Sequence, residues 1–295
     1  MSSESLFFDQ EAGSQNLSQM GANHSVMNNE PYPVILVHGW NSHPGIWNRL
    51  VPRLSETAIP FWKFDHAGMN GADIPELAAA LASFVSEKRD ENGYAGPVDI
   101  VCHSIGTCIA RFLLEVMDRN DRHQNVRQLI GLGPPNNGSA LAELFHDPLM
   151  GGEIINRLTG VFVPRGFDPS ADSLVQDVRP ASPAMHILRS AGIRSDITYR
   201  VIVTANPGGR PDFFPLFKGK TWDLDREGRW QQTWEGDGIV SHNESRLPGI
   251  SLDILPLDPD DALPSLLPDQ YCHLNLPRNP VVIERVMQYL TLPVL

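Results

Sequence analysis

A short apolar run, Val98-Asp99-Ile100-Val101-Cys102, stops at His103-Ser104-Ile105-Gly106-Thr107, and this junction limits the folds open to the chain more than any other segment. A buried strand that turns abruptly into a helix leaves the hydroxyl of the turn residue exposed at the carboxyl edge of a sheet, with helix amides directed at whatever it attacks. Acyl transfer requires that geometry. The usual pattern is G-x-S-x-G, and Cys102 stands where its first glycine would be. Backbone packs on backbone there, and a cysteine is small enough to be tolerated. Taken alone, H-S-x-G is a weak motif that an ordinary serine in a strand-to-helix turn would also give, so the neighbouring segments decide its meaning.

Those segments alternate strand and helix. Pro33-Val34-Ile35-Leu36-Val37 is a continuous apolar run without polar alternation, as in a central parallel strand covered on both faces, and it ends at His38-Gly39-Trp40. Helical spacing over Ile46 to Leu54 precedes a second short strand, Phe61 to Phe64. Ile74 to Lys88 is predicted as a strong helix, with Pro75 near its start and Leu77, Leu81, Phe84 and Val85 along one face. After Ser104 a helix through Ile109, Phe112, Leu113 and Val116 leads to a strand at Val126 to Leu132. This rhythm predicts an α/β fold with a mostly parallel central sheet and helices on both faces. From Gly138 to about Asp196 the rhythm breaks into short helical stretches (Ala140 to Phe145, Glu153 to Leu158, Ser182 to Ala191), which predicts an inserted helical cap over residues 138–196. Strand character returns at Tyr199 to Thr204. Asn206 to Glu235 is a long connection, of the kind that is functional or locally folded. A strand at Ser251 to Leu257 and a helix at Pro280 to Leu290 complete the domain.

At 295 residues the chain is long enough for one large α/β domain, residues 31–295, with a full core. It has 41% hydrophobic and 20% charged residues and no apolar run long enough to span a bilayer, so a soluble protein without stable membrane insertion is expected. A formal net charge of -12 argues against nucleic acid or anionic membrane as a main partner, because phosphate binding rests on clustered Lys and Arg. Neutral or cationic substrates fit better, although acidity of this size also serves as a solubility device. Residues 1–30 are rich in Ser, Asn, Gln and Gly and have neither a basic start nor an apolar h-region. A flexible polar tail is expected there, with Leu6-Phe7-Phe8 able to clip onto the body. Three cysteines, Cys102, Cys108 and Cys272, make no disulfide framework, and reduced thiols in a cytoplasmic protein are expected, with no metal bound by them.

A serine hydroxyl becomes a nucleophile only when a base takes its proton, and the base must be oriented through its other ring nitrogen. In the fold implied above, the acid and then the histidine follow the serine in the chain, each at the carboxyl end of a later strand. Asp237, in the glycine-flanked turn Gly236-Asp237-Gly238-Ile239-Val240-Ser241, and His273, in Tyr271-Cys272-His273-Leu274-Asn275, fit that order. Asp223, Asp225 and Asp253 compete as the acid; the first two fall in a polar connection expected to be solvated, the third within a strand. His242 and His66 compete as the base. A tetrahedral intermediate also needs two preorganised amides for its oxyanion, and the amides of Ile105 and Trp40 lie at the right points of the chain.

With those residues in place, the chain resembles the α/β-hydrolase superfamily, in particular its lipase and esterase branch and uncharacterised bacterial esterase-like proteins. Val34 to Trp40, the Ser104 turn, and the late Asp237 and His273 carry the resemblance in the superfamily's order. Leu132-Gly133-Pro134-Pro135-Asn136-Asn137-Gly138-Ser139 looks like the P-x-x-G-S turn of many lipases, and Asp237 to Ser241 with Ser245-Arg246-Leu247-Pro248-Gly249 matches a D-G-x-V-S and S-x-R-L-x-G pair found in similar proteins. Coverage runs from about residue 31 to the end. Cys102 departs from the pattern, and the superfamily's early antiparallel strands are not evident before Pro31. The resemblance implies a carboxylic ester hydrolase with the triad Ser104, Asp237 and His273, an ester substrate with an apolar acyl group, and neither metal nor organic cofactor. Asn136, Asn137 and Ser139 are expected to shape the turn. Phe145, Leu149, Phe162, Val163 and Phe167 could line an acyl pocket or form a lid. Thioester or amide hydrolysis, acyl transfer, or a binding protein that keeps the fold without chemistry are the alternatives that the residues leave open.

Overall fold

A computed structural model describes residues 31–225, 227–257 and 270–292. The expected polar tail and the Leu6-Phe7-Phe8 clip lie outside the described residues. The elements in chain order are β1 (Val34–Val37), α1 (Leu50–Glu56), β2 (Phe61–Phe64), α2 (Ile74–Asn92), β3 (Val98–His103), α3 (Gly106–Arg111), β4 (Val126–Leu132), α4 (Ala140–Leu144), α5 (Gly151–Leu158), α6 (Ser173–Asp177), α7 (Pro183–Ala191), β5 (Thr198–Thr204), β6 (Thr221–Leu224), β7 (Trp230–Thr233), α8 (His242–Ser245), β8 (Leu252–Leu255) and α9 (Pro280–Thr291).

Six strands form one parallel sheet in the order β2-β1-β3-β4-β5-β8. Side chains alternate between faces along a strand, yet all four residues of β1 have no exposed surface. Both faces of the sheet centre are therefore covered, which is why β1 and β3 carry no polar alternation. The carboxyl ends of β1 and β3 lie side by side, with Val37 in register with Cys102 and Cys102 with Gly131 of β4. The turns after these strands consequently share one rim of the sheet.

Local chemistry sets the helix limits. Asp73 and Glu76 form a reciprocal capping box at the start of α2, and Ile74, Leu77, Ala78, Leu81 and Val85 bury its inner face. The helix continues one turn beyond the expected Lys88, to Asn92, because the first residue suited to a left-handed cap is Gly93, with φ +59. The helix expected over Ile46 to Leu54 is instead a 3-10 turn, Pro44–Trp47, followed by α1. Pro52 explains the break: its ring clashes with the carbonyl four residues back and it has no N–H to donate, so one helix cannot run through Asn48. After α3 the chain continues as a π-helical turn, Phe112–Met117, in which Arg111 and Glu115 form a buried ion pair at 2.9 Å.

Between β4 and β5 the chain carries the four short helices α4 to α7. The long connection after β5 is locally folded, with β6 and β7 pairing as an antiparallel hairpin. The last sheet strand is shorter than expected and stops before Pro256, which has no amide to donate to a ladder. Among the described residues, no helix is long and apolar enough to cross a membrane.

Candidate active site

Ser104 sits between β3 and α3 with φ +55. A non-glycine residue in that conformation costs about 1–3 kcal/mol and persists only where its surroundings fix it. They do so here. The Ser104 amide donates to the Leu132 carbonyl at 2.9 Å, and the Thr107 amide donates to the Ser104 carbonyl at 3.0 Å. Two glycines make the close approach possible: a Cβ on Gly39 would lie 2.9 Å from Ser104 Cβ, and one on Gly106 would lie 2.5 Å from the His38 carbonyl oxygen. The second glycine of the serine motif is thus required by contact with the turn after β1. Cys102 is fully buried within β3, in register with Gly131 of β4. Burial, with Cys108 nearby, pushes that thiol well above its ordinary pKa.

Asp237 and His273 meet. His273 Nδ1–H donates to Asp237 Oδ2 at 2.7 Å, and the His273 amide donates to the Asp237 carbonyl at 2.9 Å, so both ring and backbone are tied to the same residue. Asp237 Oδ1 accepts from the amides of Ile239 at 3.0 Å and Val240 at 2.7 Å, which fixes the carboxylate on its own turn. Gly133, just past β4 with φ +56, leaves room for this pair; a Cβ there would sit 2.6 Å from Asp237 Oδ2 and 3.1 Å from His273 Nδ1. With Nδ1–H committed to the carboxylate, Nε2 is a bare acceptor. It is buried and has no hydrogen-bond partner among the described residues, so no hydrogen bond joins Ser104 and His273 in this state. Nucleophile–base contacts are commonly long before substrate binds.

His103 was not singled out in the sequence, yet it packs on His273. Its ring lies 4.7 Å from that of His273, centroid to centroid, and its Nε2–H donates to the His273 carbonyl at 3.0 Å. Burial, reinforced by the neighbouring His273, holds His103 well below the ordinary histidine pKa and keeps it neutral. Its place immediately before the serine was the available signal. Gly133 was equally legible, as the glycine at the end of a strand before Pro134-Pro135.

The rival residues have other partners. Asp223 is not solvated as expected: it is 2% exposed on β6 and accepts from Ser241 Oγ at 2.9 Å and Asn243 Nδ2 at 2.7 Å. The turn into α8 buried it, through Ser241 and Asn243. Asp225 pairs with Arg229 at 2.8 Å, and Asp253 with Arg285 at 2.6 Å and Tyr289 at 2.7 Å. His242 Nε2–H donates to the Thr204 carbonyl at 2.9 Å, and His66 Nε2–H to the His38 carbonyl at 3.1 Å. The His66 ring stacks on His38, and burial lowers its pKa to about 4.

The motif after β4 has a structural task. Asn136 Nδ2 donates to the Ser245 carbonyl at 2.7 Å, Asn137 Nδ2 donates to the carbonyls of Asn243 and Arg246, and Ser139 Oγ caps α4. The P-x-x-G-S and S-x-R-L-x-G segments therefore bind each other. Glu244, buried without a cation, accepts from the amides of Ala140 at 2.6 Å and Ser241 at 2.5 Å, and burial raises its carboxyl to about 8.

A narrow apolar cleft of about 40 Å³ opens beside Ser104, with Trp40, Ile105, Phe145, Phe162, Val175 and Ile239 among its walls. Of the residues expected to line a pocket, Phe145 and Phe162 wall this cleft. Leu149 does not: it is 91% exposed, on a turn held by Asp147, and lines nothing near the serine. Val163 is buried away from the cleft wall, and Phe167 packs edge-on against Trp40 and Phe145. Among the described residues, the loop and turn hydrogen bonds use neither the Trp40 nor the Ile105 amide. No group of three or more His, Cys, Asp or Glu side chains among them is arranged to hold a metal ion.

The chain belongs to the alpha/beta hydrolase family, whose profile matches residues 34–285. No curated protein matches it significantly. Among solved structures it is similar to the mature lipase BlEst2 of Bacillus licheniformis, with 19% identity over 90% of this chain and 94% of that one and a TM-score of 0.62. It is also similar to the metagenomic carboxyl esterase MGS0156, with 17% identity over 88% and 75% of the two chains and a TM-score of 0.55. Phospholipase PlaB of Legionella pneumophila matches with 15% identity over 88% of this chain and 60% of that one, at a TM-score of 0.52. At these identities the likeness concerns the fold.

Proposed function

We propose that the protein is a serine hydrolase of carboxylic esters that works through an acyl-enzyme on Ser104, His273 and Asp237. The observation that carries this reading is the state of His273: one ring nitrogen is fixed on a buried carboxylate while the other is buried, bare and without a partner. A buried acceptor left in this way costs free energy and marks a group kept ready for a proton. On this reading that proton comes from the half-buried Ser104 hydroxyl as it attacks.

In the reaction, Ser104 Oγ attacks the ester carbonyl carbon as its proton passes to His273 Nε2. Asp237 accepts the Nδ1–H throughout and stabilises the imidazolium. The oxyanion is received by the amides of Trp40 and Ile105, which flank the serine from the β1 turn and the start of α3. Collapse of the intermediate breaks the bond to the alcohol oxygen, which takes the proton from Nε2. Water then attacks the acyl-enzyme with His273 as base, releasing the acid and restoring Ser104. The apolar walls of the cleft suit an acyl group rather than a charged one, and its small volume suits a short chain.

A fluorophosphonate probe tests the assignment: the wild type should be labelled, Ser104→Ala not at all, and His273→Ala only weakly. An unlabelled wild type would leave a binding protein that retains the fold. A panel of esters, thioesters and amides sharing one acyl group identifies the leaving group; turnover confined to thioesters or amides would overturn the ester assignment.

A further inference from the structure

Trp40 carries one of the two oxyanion amides in the reading above, and its turn is flexible by composition, following Gly39. What holds it comes from the segment between β4 and β5. Trp40 Nε1–H donates to Asp172 Oδ2 at 2.9 Å. The adjacent Asn41, itself at φ +45, donates from Nδ2 to the Phe162 carbonyl at 2.9 Å. The indole is gripped edge-on by Phe162 and Phe167, at centroid distances of 5.2 and 5.3 Å. Asp172 is itself fixed, because its Oδ1 accepts the Val175 amide at 2.9 Å as the N-cap of α6. At the other end of α6, Asp177 Oδ2 accepts the Ile74 amide at 2.9 Å, tying this short helix to the start of α2.

We propose that Asp172 is a positioning residue for the oxyanion turn: its carboxylate spans the α6 N-terminus and the Trp40 indole, so that the helical segment over the site sets the direction of the Trp40 amide. This rests on the hydrolase reading. Two acceptor oxygens are needed for the two tasks. An asparagine has one, so Asp172→Asn must release either the helix or the indole. Val175 and Val178 of the same segment line the acyl cleft, and the wall that meets the acyl chain is thereby joined to the turn that receives the oxyanion.

The test is a double-mutant cycle on Trp40→Phe, which removes the indole N–H together with part of the ring's packing surface, and Asp172→Asn; the packing loss is common to both Trp40→Phe backgrounds and cancels from the coupling. Each single variant should lower kcat by about tenfold to a hundredfold with KM for a short-chain ester little changed, because displacing a donor by a fraction of an ångström costs on this scale. The double variant should be no slower than the slower single variant. Affinity for a phenylboronic acid, which forms a tetrahedral adduct on Ser104, should fall by the same factor as kcat. Additive losses, or a fall in melting temperature with kcat and boronate affinity intact, would overturn the proposal. A wild type that neither hydrolyses esters nor takes the fluorophosphonate would overturn the hydrolase reading and this proposal with it, whereas an active wild type with unaffected variants overturns this proposal alone.

Discussion

Replacing Gly133 by alanine should damage the acid–base pair without touching either of its members. The new methyl carbon would stand 2.6 Å from Asp237 Oδ2, 2.9 Å from Leu276 Cδ1 and 3.1 Å from His273 Nδ1. Ordinary contact begins near 3.4 Å, so the carboxylate oxygen must retreat by roughly 0.8 Å. Retreat straight away from the new carbon runs at about 70° to the hydrogen bond, so it lengthens the 2.7 Å contact only to about 3.1 Å but swings the acceptor oxygen about 15° off line. Asp237 cannot follow by tilting its turn, since Oδ1 is held by two amides and the backbone by His273. The φ of +56 adds a penalty of about 1–2 kcal/mol for any residue with a Cβ. Misplacement of a catalytic group by about 1 Å costs about 10²-fold, so on the proposed reading kcat should fall by about tenfold to a hundredfold. Steady-state hydrolysis of a short p-nitrophenyl ester measures it, with circular-dichroism melting alongside. A variant that melts a few degrees lower but retains wild-type kcat would refute the reasoning, because strain would then have been relieved without moving the carboxylate.

Three further outcomes follow from other parts of the molecule. Phe162→Ala, at the half-buried mouth of the cleft, should shift preference toward longer acyl chains, seen as a rise in the kcat/KM ratio of a C8 to a C4 ester; an unchanged ratio would place the chain elsewhere. Burial raises the Glu244 carboxyl to about 8 in the folded protein, so the folded state holds this proton more tightly than the unfolded one; the associated stability is present at pH 4 and lost as pH rises through 8. The melting temperature of wild type should therefore decline relative to Glu244→Gln across that window, and parallel curves would contradict the assignment. Arg111→Met leaves Glu115 buried and unpaired and should cost about 3–5 kcal/mol in urea denaturation, much of it recovered by the double variant with Glu115→Leu; equal losses in the two would show that the pair itself stabilises.

Most of the sheet was legible because its strands are covered on both faces and therefore continuously apolar, as Val34 to Val37 shows. The turn at Ser104 and the meeting of Asp237 with His273 were legible because glycines and strand ends mark where a chain can present a side chain at a rim. Partnerships formed across long stretches of sequence were not. Asp223 looked solvated because a polar connection gives no sign that Ser241 and Asn243 will meet it. Leu149 looked like a pocket residue because an apolar side chain in a helical insert reads the same whether it faces in or out. The helix expected across Asn48 failed on Pro52, a signal present in the chain and outweighed by the spacing of Trp47, Leu50 and Val51. Asp172 gave no hint of its task, since it acts across 132 residues on Trp40, and His103 showed only its place beside the serine, not its partner 170 residues away.

On the proposed reading the serine turn is assembled from residues 34–132, since the Ser104 amide needs the Leu132 carbonyl, whereas the base arrives only at residue 273, on a 3-10 turn packed after the last sheet strand. During synthesis the early strands can pair while that turn is still inside the ribosome. A nascent chain thus carries a strained alcohol with nothing to deprotonate it, and stays inert toward the acyl compounds around it until translation has passed the imidazole.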